Sequence, residues 1–92
     1  MARMMEDDVN KRLEEFENWI YENNSISKEY EFEDFVNAIG FVMKAGMEAE
    51  KMNHHPDLHI YAYKHVKVTI TTHDEGGVTE KDFTLAKNIE RF

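Results

Sequence analysis

Three of the five histidines in this 92-residue chain stand beside acids near the ends of otherwise regular segments. His54 and His55 follow Glu50 and precede Pro56; His73 follows Thr72; Asp82 closes the run Gly77-Val78-Thr79-Glu80-Lys81-Asp82. Imidazole is the side chain that can both give and take a proton near neutral pH. The chain has no cysteine, and none of its serines has the surroundings of a nucleophile. Imidazoles with carboxylates beside them therefore point to proton transfer on a small molecule.

Each of these residues also has a plainer role open to it. With Phe35 at the origin of a helical wheel, Ile39 falls at about 40°, Met43 at about 80° and Glu50 at about 60°. An acid on such an apolar stripe is paired, faces a cleft, or stands in water on a frayed last turn. A histidine after a helix C-terminus complements the dipole, which accounts for one of His54 and His55 but not for two followed by proline. His73 reads as the polar end of a strand, and Asp82 as the third residue of a capping box opened by Thr79. His59 and His65 fall within a strand pair and take surface or sheet roles. A metal held by His54, His55 and His73 is disfavoured, because adjacent histidines on extended backbone point to opposite sides and no His-Glu-x-x-His helix or cysteine ligand is present.

The elements that must position these groups follow from pattern. Residues 1–7 read as a loose acidic tail, and Asp8 caps a short helix carrying Val9, Leu13 and Phe16. Trp19-Ile20-Tyr21, the turn chemistry of Glu22-Asn23-Asn24-Ser25, and Ile26 to Phe32 make a hairpin. Residues 33 to about 52 form the clearest helix, with Phe35, Val36, Ile39, Val42 and Met43 as its expected inward stripe and Pro56 as its limit. Phe41 lies about 120° off that stripe and is expected at a subunit contact. Residues 58–63 and 65–72 read as strands, with Val66, Val68 and Ile70 on one face. Thr79 opens a last helix that buries Leu85, Ala86 and Ile89. The order α-ββ-α-ββ-α implies an α+β fold, a four-stranded antiparallel sheet with helices on one face.

The totals bound the function. Ninety-two residues make one domain with a modest core, so association with further copies is an expected source of burial. The net charge of −8 and the lack of a basic stripe disfavour direct nucleic-acid binding. No segment reads as a signal peptide or a membrane span, so a soluble cytoplasmic protein is expected.

The run Glu50-x-x-x-His54-His55-Pro56, then Tyr63, then Val66-x-Val68-x-Ile70-x-Thr72-His73, then Gly77-Val78-Thr79-x-x-Asp82 resembles the signature of the pterin-4a-carbinolamine dehydratases. The resemblance extends upstream to about Leu13. It implies removal of water from 4a-hydroxytetrahydropterin to give quinonoid dihydropterin, with no metal and no bound cofactor, in a homodimer or homotetramer. It places His54, His55 and His73 around the pterin, with Glu50 and Asp82 in support. Two departures stand out: about one extra residue around Tyr61-Ala62-Tyr63, read as a bulge or longer connection, and Leu58 where some relatives have tryptophan. Some members of the family act as dimerisation cofactors for a transcription factor, so an assembly module is the alternative reading; a metal-dependent hydrolase is a third.

Overall fold

The computed structural model describes residues 2–92. Helix α1 spans Glu6–Leu13, strands β1 and β2 span Ile20–Glu22 and Ser25–Glu31, helix α2 spans Phe35–Met52, strands β3 and β4 span Asp57–Tyr61 and His65–Ile70, and helix α3 spans Glu80–Glu90. The sheet is antiparallel throughout with strand order β1-β2-β4-β3. Ile26, Val66, Val68 and Ile70 are fully buried beneath Phe83, Leu85, Ala86 and Ile89 of α3 and the alanines of α2. This is the expected α+β architecture. Among the described residues no helix is long and apolar enough to cross a membrane.

The turns follow from local chemistry. Asn23 and Asn24 both take left-handed backbone (φ 52° and 60°), the geometry of a two-residue hairpin whose twist matches its strands. The longer connection expected near Ala62 is a loop at 62–64 with Ala62 and Tyr63 both left-handed (φ 46° and 53°). These are poor residues for that region, and the Lys64 carbonyl, accepting from Phe32 N–H at 2.8 Å, ties the loop to the end of β2.

Four expectations need correction. The chain is ordered earlier than a loose tail through residue 7 allows: α1 begins at Glu6, with Met5 rather than Asp8 at its N-cap, and Met4 N–H donates to the Val78 carbonyl at 2.7 Å. Glu6, Asp7 and Asp8 all occupy the first turn, where the helix dipole favours them. Met1, also assigned to that tail, lies outside the described residues.

The inward face of α2 is not the expected one. Phe35, Val36, Ile39 and Met43 are exposed, Val36 by 76%, and Val42 is half-buried. Ala38, Phe41, Ala45, Glu48 and Ala49 face the core instead. The reason is steric: small side chains let α2 approach its neighbours closely, and the large apolar residues are left on the opposite side. Phe41, expected at a subunit contact, is 4% exposed and packs on Tyr30 (ring centroids 4.6 Å) and Phe32 (5.0 Å). Glu48 is buried on this face and is paired with Lys51 (3.2 Å) and Arg91 (2.9 Å). Lys51, then Arg91 against the opposing effect of burial, holds its carboxyl below the ordinary carboxylate range. Finally, β4 ends at Ile70, and His73 lies in a 3-10 turn at His73–Glu75 rather than on a strand.

A second polar group bridges sheet and helix. The Glu90 carboxylate accepts from Lys28 Nζ (2.8 Å) and Tyr30 Oη (2.5 Å). The Trp19 indole N–H is buried without a hydrogen bond of ordinary geometry, yet stands close enough to favour the Glu90 charge. Burial opposes ionisation of Glu90, but Lys28, Tyr30 and Trp19 outweigh it and hold the carboxyl below its ordinary value. Burial, then the hydrogen bond to Glu90, pushes the Tyr30 phenol well up.

Two outcomes follow. Phe41→Ala should lower the unfolding free energy by about 3–5 kcal/mol in a denaturant titration; a loss below about 1 kcal/mol would place Phe41 outside the core. A depressed Glu90 contributes stability that is present above its unfolded value of 4.5 and is lost as pH falls through its folded value. A raised Tyr30 costs stability as pH climbs above its unfolded value of 10.0. The unfolding free energy should therefore be greatest between these limits, and Glu90→Gln should flatten its acid limb; an unchanged acid limb in that variant would refute the assignment.

Candidate active site

The end of α2 sets the first two histidines. Asn53 takes left-handed backbone (φ 52°), Asn53 N–H donates to the Glu50 carbonyl (3.1 Å) and His54 N–H donates to the Ala49 carbonyl (3.1 Å). This paired closure turns the chain sharply back on the helix end. Pro56 then keeps His55 extended and leads into β3. On that backbone His54 and His55 point to opposite sides, and each finds its own carboxylate.

His54 turns inward. Its Nε2 lies 2.6 Å from Asp82 Oδ1, with the His54 side chain 11% exposed and Asp82 fully buried. The second oxygen of Asp82 accepts from Thr72 Oγ1 (2.9 Å) and from Thr79 N–H (2.8 Å). Thr72 and Thr79 hydroxyls are 2.8 Å apart. Since the Thr72 hydrogen goes to Asp82, Thr79 donates to Thr72 and in turn accepts from Lys81 N–H at 3.3 Å. The capping box read from sequence is thus present, and the same carboxylate that caps α3 orients an imidazole. A carboxylate only accepts, so Nε2 of His54 carries a hydrogen, and in the neutral ring Nδ1 is the nitrogen that keeps a lone pair.

His55 turns outward. Its Nε2 lies 2.5 Å from Glu50 Oε1, and both side chains are more than half exposed. Glu50 is therefore both paired and in water. The pair stands at one end of an open apolar groove of about 560 Å³ whose other lining residues are Val42, Met43, Gly46, Met47 and Leu58. Leu58, noted as a departure from relatives with tryptophan, forms part of this wall.

His73 is exposed on its turn, directly after Thr72. Among the described residues no hydrogen bond joins His73 to either pair, and none joins the two pairs to each other. The fold thus joins His54 with Asp82 and His55 with Glu50, and brings His73 to the neighbourhood of Asp82 only through the backbone of Thr72. His59 and His65 stay apart, flanking Tyr61 on the outer face of the sheet with ring centroids at 5.6 and 5.1 Å. Among the described residues no three His, Cys, Asp or Glu side chains converge as a metal ion would require. Sequence reasoning missed the role of Thr72. A hydroxyl one residue before His73 was visible, but its partner nine positions beyond that histidine was not.

Known proteins share this chain's pattern over most of its length. The sequence model of a family described as Pterin 4 alpha carbinolamine dehydratase matches residues 2–92. A relative from Sulfolobus acidocaldarius, named "Putative pterin-4-alpha-carbinolamine dehydratase", is 46% identical over 97% of each chain. A relative of the same name from Rhizobium johnstonii is 44% identical over 99% of this chain and 91% of its own. The crystal structure of a transcriptional coactivator/pterin dehydratase from Brucella melitensis superposes with a TM-score of 0.89 at 36% identity, covering 98% of this chain and 97% of that one. A pterin dehydratase-like RuBisCO assembly factor of the alpha-carboxysome, at 14% identity and a TM-score of 0.64 over 79% of this chain and 83% of its own, shares the fold. The matched sequence and the shared fold together show that this chain belongs to the pterin-4-alpha-carbinolamine dehydratase family.

Proposed function

We propose that this protein is a hydro-lyase that dehydrates 4a-hydroxytetrahydropterin to quinonoid dihydropterin by histidine acid–base catalysis. The observation that carries this reading is the His54–Asp82 pair: an imidazole held in one orientation, with its Nε2–H directed at a fully buried carboxylate.

The reaction breaks the C4a–O bond and the N5–H bond and forms a C4a=N5 double bond, releasing one water. His54, with Nε2 engaged by Asp82, takes the N5 proton at Nδ1. The departing hydroxyl needs a proton to leave as water; His55, steadied by Glu50, and His73 on its own turn are the available donors. Acid–base help of this kind is worth roughly 10²- to 10⁴-fold, which suits an adduct that already loses water unaided. No step requires a metal or a bound cofactor. A cysteine-free chain suits a reducing cytoplasm, where we place the reaction.

The exposed side of α2 supports a homo-oligomer. Phe35, Val36, Ile39, Met43 and Met47 form one contiguous apolar face, each at least 40% exposed. A contiguous exposed apolar face is the kind of surface that marks a protein–protein contact. It also favours a second reading, in which the chain is chiefly an assembly module, in keeping with the coactivator name carried by its Brucella structural neighbour.

Two measurements test these readings. His54→Ala and His73→Ala should each slow the spectroscopically followed decay of 4a-hydroxytetrahydropterin by roughly 10²-fold relative to wild type; full activity in both would sink the mechanism. Val36→Glu combined with Met43→Glu should convert the oligomer to monomer in analytical ultracentrifugation. A wild-type oligomer with no activity above background would favour the assembly module.

A further inference from the structure

Arg3 and Met4, just ahead of α1, lie across the loop that carries His73. Met4 N–H donates to the Val78 carbonyl at 2.7 Å, and Arg3 Nη1 donates to the Gly76 carbonyl at 3.3 Å. Gly76 closes the 3-10 turn in left-handed backbone (φ 70°). The aliphatic stem of Arg3 rests on Gly77: a methyl group placed there would come within 3.1 Å of Arg3 Cδ and 3.4 Å of Arg3 Cβ. A side chain at position 77 would therefore press on the Arg3 stem, which would have to give way by a few tenths of an ångström. The neck of the loop is closed by Thr72 N–H to Gly77 O (3.0 Å) and Gly77 N–H to Thr72 O (3.4 Å). His73 is the first residue inside that neck, and Thr72 at the neck donates to Asp82. The N-terminal segment is itself anchored, since α1 follows at once and buries Val9 completely.

We infer that Arg3 and Met4 form a positioning strap that sets where the His73 imidazole stands relative to His54. An exposed loop, residues 73–76, closed by one bridge belongs to the least stable part of a fold. Reaction rates are sensitive to placement, with a 1 Å error worth up to about 10²-fold. The strap removes freedom from the loop from outside, while Asp82 fixes its neck from inside. Arg3 acts through His73 and is not a catalytic residue. The kinetic consequence rests on the dehydratase reading; the structural one does not.

The test uses the full chain, with Arg3→Ala, Arg3→Lys, Gly77→Ala and the Arg3→Ala/Gly77→Ala pair, each shown to be folded by circular dichroism. Arg3→Ala should lower kcat by roughly 3- to 30-fold with KM nearly unchanged. It should also broaden or shift the His73 ring resonances in NMR while leaving those of His59, on the outer face of the sheet, as they are. Arg3→Lys keeps the stem and one donor and should restore most of the loss. Gly77→Ala pushes on the Arg3 stem and should reproduce part of the Arg3→Ala effect, and the double variant should be no worse than Arg3→Ala alone. Wild-type kcat and unaltered His73 resonances in Arg3→Ala, or independent addition of the two single effects, would overturn the strap. If the wild-type protein shows no dehydratase activity, the dehydratase reading fails and the His73 resonances alone decide the strap.

Discussion

A carboxylate removed from water must have its lone pairs occupied, and Asp82 is satisfied from three parts of the chain at once. Thr79 N–H comes from the start of α3, Thr72 Oγ from the segment after β4, and His54 Nε2 from the segment after α2. None of these segments would lie beside the others without the fold, and none could shift without leaving a buried charge short of a partner. Removing one partner of such a group costs far more than the net worth of any single bond. The end of the longest helix, the end of a central strand and the start of the last helix are therefore held together by one side chain. That side chain also aims the imidazole on which the proposed chemistry turns.

Helix α2 shows how packing distance selects a face. Its two apolar sides are built differently, one of alanines with Phe41 and the other of Phe35, Val36, Ile39, Met43 and Met47. The small-residue side lets the backbone come close to the core, and Phe41 on the same side packs against Tyr30 and Phe32. The bulky side is left for another surface. Glu50 lies on that bulky side, so the His55–Glu50 pair and the apolar groove share the same exposed face. Association through this face would change the surroundings of one imidazole–carboxylate pair and leave the buried pair untouched.

The two pairs differ in what a protein environment can do for them. His54–Asp82 is shielded and both oxygens of Asp82 are hydrogen-bonded, so its geometry is fixed and water competes little for it. His55–Glu50 is largely exposed, so solvent screens it and its worth as a structural contact is small. The sequence motif does not distinguish one histidine–carboxylate pair from the other. The structure separates them, with one pair buried and held from several sides and the other exposed among the residues that line a groove.

Much was legible in the chain alone, because it depends on local rules. Alternation put Val66, Val68 and Ile70 inward, Thr79 and Asp82 declared a capping box, Asn23-Asn24 declared a tight turn, and proline after adjacent histidines required them to diverge. The histidine–carboxylate motif was equally visible as spacing. What tertiary structure alone decided is which carboxylate serves which histidine, which side of an evenly apolar helix is buried, and that Met4 is tied to Val78. The physical reason is the same in each case. Hydrophobic periodicity says that a helix has an apolar side, but only the distance to neighbouring elements tells an alanine face from a methionine face. A hydroxyl or a carboxylate likewise carries no mark in the sequence of the partner that folding will bring to it.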